Sequence, residues 1–163
     1  MDSVVPYIDI TGAQAYFDDV RLGADAWENS TSSDKLKALK MATVAIDRLS
    51  FKGIKVTTTQ TNEFPRLPGR QLTSIVIIVP TPTIPDDIKI ATCEIALTLL
   101  DGVDPELEEE SLGAITEAYS TVRVTSDINV RKDHFKAGIP SSVAWKHLLP
   151  YLNDPYDIHI RKG

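Results

Sequence analysis

The chain has 163 residues, 42% hydrophobic and 25% charged, which suits one globular domain that buries a core of its own and disfavours two. Its net charge of −6 sets it against a phosphate backbone unless the basic residues gather on one face, so free nucleic-acid binding starts at a disadvantage. One cysteine, Cys93, excludes an internal disulfide, and with no basic leader and no apolar run near the ~18 residues of a membrane span, the expectation is a soluble protein made in a reducing cytoplasm.

From the front, Thr11 to Gln14 fit a capping box, and AYFDDVRL follows with apolar residues on one face, which predicts a short helix over about 12 to 22. Gly23 ends it, and Trp27 lies in the connection. Ser32 and Ser33 before Asp34 open a second helix, in which Leu36, Leu39, Ala42, Ile46 and Leu49 recur at spacings of three and four. Phe51-Lys52-Gly53 breaks it. The threonine-rich stretch from Thr57 to Arg70, TTTQTNEFPRLPGR, has no periodicity and reads as a loop carrying Phe64 and two arginines between prolines. SIVIIV is β-rich but closely followed by Pro80, Pro82 and Pro85, which limits it to a short extended element.

Pro85 suits the first turn of a third helix, DDIKIATCEIALTLL, ending at Asp101-Gly102. Ile88, Ala91, Ile95 and Leu99 line one side, and Ile90, Cys93, Leu97 and Leu100 widen the arc, so this helix is expected to be the most buried. Six carboxylates within residues 101–110 self-repel and predict a solvated face. The Val/Thr/Tyr content of AYSTVRVTSDINV predicts one or two strands between about 116 and 130, and a fourth helix opens at Ile139-Pro140-Ser141 and runs to Pro150. The final YLNDPYDIHIRKG alternates enough for an extended arm. The sum is a mainly α domain over 1–150, a small bundle of about four helices with a short β-hairpin and an extended insertion, followed by a C-terminal arm over 151–163.

Chemistry has few candidates. His134, His147 and His159 lie in three segments without ligand spacing and read as surface or interface histidines, so no metal is expected. Cys93, inside the apolar arc, reads as a buried inert thiol. Neither nucleophile-elbow, phosphate-loop nor dinucleotide-binding motifs occur. The pairs Asp18-Asp19 and Asp86-Asp87 read as structural, and the acidic run lacks the register of a calcium loop. Trp27, Trp145, Tyr151, Tyr156 and Phe64 carry stacking surface, but no basic patch interleaves them, which favours core or interface anchoring.

The order "AQAYFDDVRLGADAW", "ALKMATVAIDRLSFKG", "QTNEFPR", "IPDDIKIATCEIALTLL" resembles the tailed-phage head–tail connector, or adaptor, proteins, many of which carry the label of DnaT-like single-stranded-DNA-binding protein. The similarity covers about 7 to 101, and "IPSSVAWKHLLPYL" is similar to the group's closing helix. The SIVIIV insertion and the region 101 to 138 depart from that pattern. The resemblance implies a non-enzymatic, mostly helical subunit without cofactor, found at the head–tail interface of the virion and in the host cytoplasm during assembly. It implies a ring of about twelve copies between the portal protein and a tail, stopper or tail-terminator protein, with DNA passing through and no membrane contact. At −6 per copy such a ring carries roughly −70, which discourages DNA from adhering.

Under that implication Phe64 is a candidate anchor for a subunit or portal contact, and Arg66 or Arg70 a fork onto a neighbour's carboxylate; equally, the loop covers the second and third helices within one chain. The arm residues Tyr151, Tyr156, Ile158, Ile160 and Arg161 are candidates for strand addition to the portal. Residues 116–130 would project toward the tail. The alternative is a single-stranded nucleic-acid-binding module with Lys35, Lys37, Lys40, Arg66 and Arg70 as a basic stripe.

Overall fold

Asp9 starts the first helix. Its backbone is extended and its carboxylate accepts the Gly12 amide at 2.8 Å, so in the computed structural model α1 spans Ile10–Asp19. The start is two residues earlier than the capping box at Thr11 predicts, because an aspartate outcompetes the threonine and the Gln14 amide is engaged elsewhere. A Cβ on Gly12 would stand 2.9 Å from the Ile8 side chain, which explains a small residue beside the cap. The structure describes residues 4–67, 82–103 and 133–153.

Trp27 is not in an irregular connection but in a one-turn helix, α2, Asp25–Glu28, where it is wholly buried with its ring 4.7 Å from that of Phe17. Thr31 then caps α3, Ser32–Asp47, its hydroxyl accepting the Asp34 amide at 3.2 Å. Leu39, Ala42 and Ile46 face the core as their spacing predicts, whereas Leu36 is 36% exposed, and Ala38 and Thr43 complete the buried face. Thr43 is tolerated there because its hydroxyl donates to the Leu39 carbonyl at 2.9 Å and accepts the Tyr7 amide at 3.2 Å.

Beyond α3 the stretch read as a loop proves to be a hairpin closed at its base. β1, Ile54–Lys55, pairs antiparallel with β2, Arg66–Leu67, placing Ile54 opposite Leu67, and the Phe64-Pro65 peptide between them is cis. The strand-like SIVIIV, the hairpin expected over 116–130 and most of the acidic run lie outside the described residues.

Helix α4, Asp86–Leu100, follows the predicted bounds, with Pro85 at its N-cap and Gly102 at a positive φ of 86° just past its end. Eight of its residues are buried against five in α3, so it is the most buried described helix; it packs most extensively on α3 and on α6. Two short helices close the domain: α5, Asp133–Lys136, and α6, Ser142–Leu148, whose start is capped by the Ser141 hydroxyl accepting the Ala144 amide at 3.2 Å. A 3-10 turn, Leu149–Tyr151, continues it, and Leu152 forms a bridge with Phe51. The first three residues expected in the arm are thus fastened to the domain: the Lys52 amide donates to the Tyr151 carbonyl at 2.8 Å, and that of Asn153 to Ser50 at 3.0 Å. The described fold is mainly helical with one small antiparallel hairpin.

Candidate functional site

Phe64 sits where four segments meet. Its ring lies edge-on to Tyr7 at 5.9 Å, Phe51 at 4.8 Å and Tyr151 at 6.0 Å, tying the segment before α1, the segment after α3 and the C-terminal turn to one point. It is 5% exposed. Its amide donates to the Tyr7 hydroxyl at 3.2 Å, and that hydroxyl donates to Asp47. Asp47 also accepts the Glu63 amide at 3.1 Å. Burial raises the Asp47 carboxyl above its ordinary value, against the lowering by its Tyr7 bond, and burial also raises the Tyr7 phenol.

Arg66 is committed to its own chain. Its guanidinium donates to the Lys52, Phe51 and Gly53 carbonyls at 2.9, 3.2 and 2.7 Å and pairs closely with Glu63, which also holds Lys55 at 2.9 Å. Gln60 fills the loop, donating to the Asn62 and Pro65 carbonyls, and Asn62 reaches back to the Val5 carbonyl at 2.7 Å. The motif QTNEFPR therefore builds a loop tied to its own chain through Gln60, Asn62, Glu63 and Arg66.

A second cluster adjoins the first. Asp87, in the first turn of α4, accepts from the Tyr151 hydroxyl at 3.0 Å and lies 2.9 Å from His147 Nδ1, pinning α4 to α6 and the closing turn. The bond to His147 holds the Asp87 carboxyl below its usual range. Two turns further along α4, the buried Glu94 meets Arg21 Nε at 2.8 Å and the Tyr16 hydroxyl at 2.8 Å, which anchors the segment after α1. Burial pushes the Cys93 thiol up to about 12, a poor nucleophile.

The structure brings Phe64, Arg66 and Tyr151 together, and their described contacts are all within the chain. Arg70, Tyr156, Ile158, Ile160 and Arg161 lie outside the described residues. Of the histidines, His134 is not at the surface as expected but 5% exposed, its Nδ1 2.8 Å from the Ile139 carbonyl. In the basic stripe, Lys35 lies 5.1 Å above the Trp27 ring and Lys37 pairs with Asp34 at 3.2 Å, leaving Lys40 without a partner among the described residues. Between α1 and the start of α3 runs an open groove of about 460 Å³, walled by Gln14, Asp18, Ser32 and Lys35.

Tyr7, Asp47 and Glu94 escaped sequence reasoning, whereas Asp87, read as structural with Asp86, pins the closing segment. Asp47 carried a signal: an acid in the last turn of a helix opposes the helix dipole, so something else must hold it there. Glu94, in the middle of an apolar arc, is a comparable violation. Among the described residues no three metal-binding side chains converge, and no described helix is long and apolar enough to cross a membrane.

A family model described as "Putative DnaT-like ssDNA binding protein" matches residues 4–142. No curated protein and no solved structure matches the chain.

Proposed function

We propose, from the premise that this chain belongs to the DnaT-like ssDNA binding protein family whose model spans residues 4–142, that it is a structural head–tail connector of a tailed phage. In this reading about twelve copies form a ring between portal and tail, and the genome passes through without sequence-specific contact. The observation that carries the reading is the division of labour in the motif that the resemblance rests on. Glu63, Phe64 and Arg66 are used up inside the chain, making a rigid frame, while large aliphatic side chains stand in solvent: Leu22 is 88% exposed, Val20 71% and Met41 58%. Val20 and Leu22 are neighbours, and Met41 shares a helix face with Val44, so these are patches suited to protein contact.

The family description names a second reading, single-stranded DNA binding, and does not name virion assembly. Two features of the described residues weigh against it: Trp27 and Phe64 are buried, so neither offers a face to a base, and Arg66 is withdrawn from the basic stripe. One experiment separates the readings. The purified chain is imaged by electron microscopy with the portal protein of the same phage and, in parallel, titrated with labelled oligo(dT) in ~0.15 M salt. The connector reading expects a collar of density on the portal and no saturable oligo(dT) binding. Salt-dependent oligo(dT) binding without a collar reverses the assignment.

A further inference from the structure

Two surface patches of this domain match each other in both character and charge. The first is the outer face of α3, where Lys37, Met41, Val44 and Arg48 follow at spacings of four, three and four, with Lys40 beside them. It lies opposite Leu39, Ala42 and Ile46, the residues that α3 turns into the core. Met41 is 58% exposed and Val44 36%, and neither Lys40 nor Arg48 has an ion-pair partner among the described residues.

The second patch is the corner between α1 and α2. Val20 and Leu22 are the two most exposed large hydrophobics among the described residues, and the exposed acids Asp18, Asp19, Asp25 and Glu28 flank them along the chain. Two local rules are broken here at once. Asp18 and Asp19 occupy the last turn of α1, the negative end of its dipole, and two aliphatic side chains stand in water. A cationic, apolar surface laid against the corner relieves both.

The corner cannot reach the outer face of α3 in its own chain. Arg21 and Tyr16 tie it to Glu94 of α4, the helix packed on the inner side of α3. We infer that the α1–α2 corner of one copy docks on the outer face of α3 in a second copy, with Val20 and Leu22 against Met41 and Val44 and the corner acids facing Lys40 and Arg48. Such a contact joins two different patches head to tail, and a head-to-tail contact whose rotation closes generates a ring. The inference deepens the connector reading and rests on it only for that closure.

Charge reversal of each patch in the full chain tests the contact. One variant carries Lys40→Glu with Arg48→Glu; the other carries Asp19→Lys with Glu28→Lys, and both are checked for native circular dichroism. In sedimentation velocity at about 100 µM the unaltered protein self-associates, and each variant alone does so on the order of a hundredfold more weakly. Mixing the two variants restores association, since the reversed faces then complement each other. An unaltered protein that stays monomeric overturns the contact, as does assembly of either variant like the parent, or a mixture that fails to recover. If the parent is monomeric and oligo(dT) binding falls in the α3 variant, that face belongs to nucleic acid. Loss of the contact with portal attachment intact leaves the connector reading standing; self-association without portal attachment removes that reading and keeps the contact.

Discussion

Phe64 has an aromatic ring on three sides and its amide satisfied by a tyrosine hydroxyl, so truncating it removes packing that nothing nearby can refill. Phe64→Ala is expected to cost about 3–5 kcal/mol in urea unfolding. Tyr7→Phe keeps the ring but strips a donor from Asp47 and an acceptor from the Phe64 amide, and is expected to cost about 1–3 kcal/mol. The two carboxylates of this region push stability in opposite directions with pH. Asp47 binds its proton more tightly in the fold than its ordinary value of 3.8, so the fold loses stability as pH rises from there through the raised value. Asp87 is shifted down, so its contribution is present above 3.8 and is lost as pH falls through the lowered value. In thermal melts across acid pH, Asp87→Asn should flatten the low-pH loss and Asp47→Asn the loss on the other side of 3.8; parallel curves for parent and variants would contradict these assignments.

At the scale of elements, residues 151–153 of the closing segment are part of the domain. Leu152 is 4% exposed and bridges Phe51, and Tyr151 packs on Phe64, so removing 151–163 should unfold or strongly weaken the domain, Leu152 alone contributing about 2–5 kcal/mol. Under the connector reading, removing only 154–163 should abolish portal attachment; retained attachment would take the docking role away from that segment. The helices themselves were legible. α4 kept its predicted bounds because Pro85 and Gly102 punctuate both ends, and α3 kept its buried face because spacings of three and four survive packing. What escaped was everything decided by distant partners. Asp9 rather than Thr11 caps α1, since two capping residues two positions apart are locally near-equivalent and the sequence does not say which one the backbone selects. The hairpin at 54–67 is only two residue pairs long, too short for alternation to register, and is held by Arg66 side-chain bonds rather than by strand pattern. Likewise Tyr7 to Asp47 spans 40 residues and Tyr151 to Asp87 spans 64, separations at which no local period carries information.

Across the whole molecule, the described polar side chains concentrate on fastening termini and loops to the α3–α4 pair, while two outer patches pair exposed aliphatic side chains with charge that has no ion-pair partner among the described residues. A frame of that kind works by contact. The exposed corner at Val20 and Leu22 and the outer face of α3 are where substitutions should alter assembly without altering the melting temperature, the reverse of what is expected at Phe64 or Leu152. The most direct test is electron microscopy of the chain incubated with its portal protein, with oligo(dT) titration of the same preparation. The account predicts a closed collar of copies seated on the portal and no saturable DNA binding; a bare portal alongside salt-sensitive, saturable oligo(dT) binding would contradict it.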